Sequence, residues 1–160
     1  QGHTDVVSTL LVRSENEFLS GSQDKTIKLW NMNSTSEQAC VKTLSGHHGY
    51  VNCMLLTKQG FLVSGSEDCT VRVWNLDTGE CVRVVHAHKY FVSSLAIIPR
   101  SGQVVSSSND DNAHIWDLDT GRCLKTLNEV FRGGWASLVL NDRLLVITSG
   151  ADIQIWSIES

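Results

Sequence analysis

Four tryptophans fix what this chain can become. Trp30, Trp74, Trp116 and Trp156 recur 44, 42 and 40 residues apart. Asp24, Asp68 and Asp110 each stand six residues before a tryptophan, and His3, His47 and His88 stand 27, 27 and 28 residues before the same three. His3 and His47 follow glycine, and His88 follows Ala87. Three residue types at shared offsets, three times over, mark an internal repeat of about 42 residues, a period that belongs to solenoids, propellers and arrays. SGSQDKTIKLWN from Ser20 to Asn31 returns as SGSEDCTVRVWN from Ser64 to Asn75 and in worn form from Ser106. A fourth unit departs from the pattern: it lacks the Gly-His pair, and Asp152 stands only four residues before Trp156.

Within each unit, short runs alternate apolar and polar residues and are broken by turn residues, which predicts β-strands. The first unit reads as strands near 6–13, 17–22, 27–32 and 39–44, the second near 50–57, 61–66, 70–76 and 80–85, and the third near 91–98, 103–108, 112–118 and 122–127. The connectors SENE, SQDK, NSTSE, KQG and RSG carry turn chemistry. LDTG, at 76–79 and 118–121, predicts a hairpin turn begun by Asp77 or Asp119, with Gly79 or Gly121 at positive φ. Pro99 is the single proline, and no segment has a helical period. A four-stranded antiparallel sheet cannot bury both faces alone, whereas sheets stacked radially bury them against each other.

On these residues the chain resembles the WD40 family of β-propellers over essentially its whole length. The resemblance implies an all-β fold of four antiparallel blades. The last lacks its fourth strand, so the whole is an incomplete ring or half of a self-associated propeller. The repeats run approximately 2–45, 46–86, 87–128 and 129–160. In the family a histidine, a second-strand serine or threonine, the turn aspartate and the tryptophan form a hydrogen-bonded tetrad in each blade. By position these are His3, Ser20, Asp24 and Trp30; His47, Ser64, Asp68 and Trp74; and His88, Ser106, Asp110 and Trp116. A buried indole N–H, imidazole and carboxylate are costly unless each is paired, and a closed network pairs them all. Ser, His and Asp are also the types of a hydrolase triad, but a catalytic site appears once and not in every unit. The same periodicity sets the histidines aside as metal ligands, and the doublets His47-His48 and His86–His88 add no cofactor or metal site. Cys40, Cys81 and Cys123 repeat at the start of the fourth strands and read as packing. Four blades leave apolar faces at both ends. A segment of a longer propeller is the favoured explanation, and two copies closing eight blades, a homodimer, is the second.

Composition narrows the function. A net charge of −4 argues against duplex nucleic acid as a partner. No apolar run reaches the roughly 18 residues a membrane helix needs, and QGHTDVV has no signal-peptide character. Five cysteines without a CxxC motif fit a reducing compartment, so the protein is expected in the cytoplasm or nucleus. The NST sequon at Asn33 carries little weight. The resemblance implies a non-enzymatic platform for peptide or protein partners, with three exposed top-face positions per blade. These are Val6, Ser8 and Gln23; Tyr50, Asn52 and Glu67; Phe91, Ser93 and Asn109; and, in the fourth unit, Gly134 and Ala136 with Arg132 nearby. Tyr50 and Phe91 among polar neighbours have the composition of a binding hot spot. The alternative is a substrate-receptor or regulatory propeller of a larger enzyme assembly, such as a ubiquitin ligase. A propeller enzyme would need a single-copy acid/base or metal cluster, and the sequence displays none.

Overall fold

A computed structural model describes residues 2–34, 39–128, 136–140, 142–149 and 152–158. Fifteen strands and no helix occur among them. Blade one comprises β1 (Val7–Val12), β2 (Glu17–Ser22), β3 (Thr26–Asn31) and β4 (Cys40–Ser45). Blade two comprises β5 (Val51–Leu56), β6 (Phe61–Ser66), β7 (Thr70–Asn75) and β8 (Cys81–His86). Blade three comprises β9 (Val92–Ile97), β10 (Val104–Ser108), β11 (Asn112–Asp117) and β12 (Arg122–Asn128). Blade four has three strands, β13 (Ser137–Leu140), β14 (Leu144–Ser149) and β15 (Asp152–Ser157). Each sheet is an antiparallel meander in chain order, as the alternating runs dictate, and the first strands of successive blades pack side by side.

Three cores lie between the blades, not within them. Leu19, Ile27, Leu29 and Leu44 of blade one meet Val51, Leu62, Trp74 and Leu76 of blade two. Leu55, Val63, Val71, Val73 and Val85 on the other face of blade two meet Val92, Val104 and Trp116 of blade three. Val105, Ala113, Ile115 and Leu127 meet Leu145, Ile147 and Ile158 of blade four. The alternation along each strand thus supplies two apolar faces, one for each neighbour. The ring is not closed. Phe18 and Trp30 stack at 5.9 Å on the free face of blade one, beside exposed Leu10, Val12 and Met32. On blade four the free face exposes Leu138, Ile153 and Ile155.

The glycine of Ser-Gly-Ser sets the blade spacing. A Cβ on Gly65 would lie 2.5 Å from Val92 Cγ1 and 2.7 Å from Cys53 Sγ, and Gly21 meets Val51 in the same way at 2.7 Å. Gly65→Ala forces blades two and three apart and is expected to cost about 1–3 kcal/mol, seen as a lower urea midpoint; an unchanged midpoint would show that the interface yields freely. In blade three Ser107 takes the place of this glycine, and its Oγ is buried without a hydrogen-bond partner.

The basic residue two positions after Cys40 and after Cys81 clasps the next blade. Lys42 Nζ donates to the carbonyls of Leu76 and Asp77 at 2.9 and 2.6 Å. Arg83 donates to those of Asp119 and Thr120 at 2.6 and 3.2 Å. Their stems lie over the turn glycines: a Cβ on Gly79 would come 3.1 Å from Lys42 Cδ. Gly79 has φ +82°, so a side chain there would strain the backbone as well as crowd the Lys42 stem. One expectation for this turn is corrected. Asn75 and Asp117, not Asp77 and Asp119, begin it: Asn75 Oδ1 accepts from the N–H groups of Asp77 and Thr78, and Asp117 Oδ1 from that of Thr120.

Candidate functional site

The structure brings each predicted quartet together. In blade two His47 Nδ1 lies 2.8 Å from Asp68 Oδ2, His47 Nε2 lies 2.7 Å from Ser64 Oγ, and Trp74 Nε1 donates to Ser64 Oγ at 2.8 Å. The corresponding distances are 2.7, 2.6 and 2.7 Å for His3, Ser20, Asp24 and Trp30. In blade three His88 contacts both oxygens of Asp110, at 3.1 and 3.0 Å, and both His88 Nε2 and Trp116 Nε1 lie 2.8 Å from Ser106 Oγ. A carboxylate only accepts, so Nδ1 carries the proton and the serine hydroxyl donates to Nε2 while accepting from the indole. The imidazole side chains are 3%, 1% and 0% exposed, which leaves none of them open to a substrate.

The aspartates bind the turn as well as the histidine. Thr4, His48 and Lys89, each next after the histidine, donate their N–H to Asp24, Asp68 and Asp110 at 3.0, 2.9 and 2.9 Å. The hydroxyls of Thr26 and Thr70 donate to Asp24 and Asp68 at 2.6 Å. Burial pushes the Asp24 carboxyl up, but the Thr26 hydroxyl, the Thr4 N–H and His3 outweigh it and hold it well below the usual carboxylate range. Burial opposes Asp68 too, and His47, Thr70 and the His48 N–H likewise hold it low. Burial depresses His88 to about 4 despite Asp110. At neutral pH its contact with Asp110 is therefore a hydrogen bond from a neutral imidazole. The second serine of Ser-Gly-Ser caps the turn: Ser22, Ser66 and Ser108 Oγ accept from the N–H of Asp24, Asp68 and Asp110 at 3.0, 3.1 and 3.1 Å. Sequence reading missed this role, although the repeated serine was its signal.

Blade four has no such set among the described residues. Leu145 opposes Trp156 as Leu62 opposes Trp74, so fully buried Ile147 stands where Ser64 stands. Trp156 Nε1 donates instead to Gln154 Oε1 at 3.2 Å.

The rim positions divide into two groups. Val6 joins Gln23, Tyr50 joins Glu67 and Phe91 joins Asn109 through backbone N–H···O bonds of 2.9, 2.9 and 3.4 Å, with Gln23, Glu67 and Asn109 donating. Val6, Tyr50 and Glu67 are exposed, whereas Gln23, Phe91 and Asn109 are partly covered. Ser8, Asn52 and Ser93 sit in the irregular steps of β1, β5 and β9. Their polar groups are engaged inward: Ser8 with Val51 O, Asn52 Nδ2 with Val92 O at 3.0 Å, and Ser93 Oγ with Ser107 O at 3.0 Å. Ala136 pairs with Thr148, and Gly134 and Arg132 lie outside the described residues. All five cysteines are free thiols, and burial raises that of Cys53 to about 12. Cys40, Cys81 and Cys123 pair with Trp30, Trp74 and Trp116 at the irregular steps between third and fourth strands.

Comparison with known proteins places the fold in a family. The WD domain, G-beta repeat family matches residues 1–31, 38–75 and 79–117, and the chain belongs to it. Its propellers are in general non-catalytic interaction folds. The WD40 β-propeller domain of Doa1 matches 99% of this chain with a TM-score of 0.89 at 28% identity, and the match spans 53% of that domain's chain. The nuclear distribution protein PAC1 of Scheffersomyces stipitis is 46% identical over 49 residues, which are 28% of this chain and 9% of that protein. A ribosome biogenesis protein BOP1 homolog of Culex quinquefasciatus is 40% identical over 45 residues, again 28% of this chain but 5% of that protein. The chain thus spans a small part of the relatives it matches. No helix long and apolar enough to cross a membrane occurs among the described residues.

Proposed function

We propose that the chain is a rigid, non-catalytic platform that binds a peptide segment of a protein partner on the rim of blades two and three. One observation carries the reading: Tyr50, Tyr90 and Phe91 place aromatic surface beside Glu67 and Asn109. Aromatic anchors ringed by polar groups are the elements of a hot spot. The tetrads hold the turns that carry Glu67 and Asn109, so the partner meets a preorganised surface and little ordering opposes binding. Free thiols, and relatives named for nuclear distribution and ribosome biogenesis, support an intracellular setting. Light scattering tests whether the exposed apolar faces of blades one and four bring two copies together; a monomer leaves both faces open.

A peptide selected by display against the protein tests the rim. Its binding is expected to shift the NMR signals of Tyr50, Glu67, Phe91 and Asn109. Shifts confined to Gln59, Gln103 and Asp119, in the cleft at the opposite end of blades two and three, would move the site there.

A further inference from the structure

Blade three differs from its neighbours in one cluster of side chains. His114 pairs with Ser106 across the sheet, at the register where Lys28 pairs with Ser20 and Arg72 with Ser64. Its ring lies against that of His88, with centroids 4.5 Å apart. His88, Asp110 and His114 each offer a ligand atom, and these atoms lie within 4.8 Å of one another. The carboxylate is also held differently. In blades one and two a threonine hydroxyl occupies Oδ1 at 2.6 Å. In blade three Asn112 stands there; its amide donates at 2.8 Å to the Asp110 carbonyl and reaches Oδ1 only at 3.4 Å, while its N–H donates to Oδ1 at 3.1 Å. Asp110 then faces His88 with both oxygens, at 3.1 and 3.0 Å.

We propose that His88, Asp110 and His114 form a site for a divalent transition-metal ion, with zinc the ion that two imidazoles and a carboxylate suit best. Bonds of about 2.0–2.2 Å in a tetrahedral site put ligand atoms about 3.3–3.6 Å apart. The His88–Asp110 contact is already close to that spacing, and a small rotation of half-buried His114 closes the third edge. His114 Nδ1 lies 3.0 Å from Thr126 Oγ1, a contact of the kind that orients a ligating imidazole. When the metal takes His88 Nδ1, the ring proton moves to Nε2, which then donates to Ser106 Oγ. That oxygen still accepts from Trp116, since it has two lone pairs, and the serine hydroxyl loses its acceptor. Three protein ligands leave a fourth position, which a water completes. Blades one and two cannot do the same, because Lys28 and Arg72 bring a positive charge to the corresponding place.

The test is a Co²⁺ titration of the chelator-treated protein followed by its visible spectrum, with Zn²⁺ as competitor. One saturable equivalent is expected, with the intense bands of a four-coordinate site that Zn²⁺ abolishes. His114→Lys writes in the residue of blade one. It should melt like the parent without metal and bind Co²⁺ roughly tenfold or more weakly. Should that variant misfold, His114→Gln removes the ligand without adding charge and is read in the same way. His48→Ala should bind as the parent does. Absence of a saturable band, or parental binding in a folded His114 variant, would overturn the site.

Discussion

Trp74→Ala is expected to destabilise the protein by about 3–5 kcal/mol, and Trp30→Ala by less than half of that, although both remove the same residue of the same motif. Trp74 is 1% exposed and lies in the core between blades one and two. Its loss opens a cavity there and leaves Ser64 Oγ without its indole donor. Trp30 makes the equivalent bond to Ser20, but it lies half-covered on the free face of blade one, stacked on Phe18 with the His3 ring tilted against it. Water fills the space it vacates. Urea unfolding of the two variants measures the difference. Equal losses would mean that the free face of blade one is covered in solution, or that the energy lies in the hydrogen bonds and not in the packing between blades.

The second large effect is acid sensitivity. Asp24 and Asp68 have folded-state pKa values depressed below the ordinary value of 3.8. Below that value the unfolded chain takes up protons that the folded one does not. Each aspartate therefore contributes stability that is complete above about pH 4 and lost as the pH falls toward its folded value, on the order of 2 kcal/mol apiece. In the metal-free protein His88, depressed from 6.5 to about 4, begins an earlier loss: protonation favours the unfolded chain throughout that interval. Unfolding free energies should decline gently from pH 6.5 and steeply below 4. A profile flat down to pH 3 would contradict the bonding described for the aspartates.

Most of the fold was legible because the repeat repeats its errors as well as its signals. A strand misread in one unit is corrected by its counterpart in the next, so the strands of the first three blades lie within a residue or two of expectation. The quartets were legible for the same reason, since Ser64 is ten residues before Trp74 as Ser20 is before Trp30. What stayed hidden depends on the neighbouring blade. Nothing in Cys-Val-Lys says that Lys42 will reach a carbonyl of the Asp77 turn. Ser8 and Asn52 look like free polar rim residues until the next blade offers the carbonyls of Val51 and Val92. His114 was missed because its register partner, Ser106, was already accounted for. Its departure from Lys28 and Arg72 shows only when the third strands are aligned.

The central claim is that the recurring Ser, Asp, His and Trp brace the blades while binding belongs to the rim residues between them. The most direct measurement is the affinity of one display-selected peptide for the parent, for Tyr50→Ala/Phe91→Ala and for Ser64→Ala, at a temperature where all three are folded. Loss of two hot-spot side chains should weaken binding by roughly thirtyfold or more, whereas Ser64→Ala, though less stable, should bind within about twofold of the parent. Undiminished affinity in the folded double variant, or its loss in folded Ser64→Ala alone, would contradict the account.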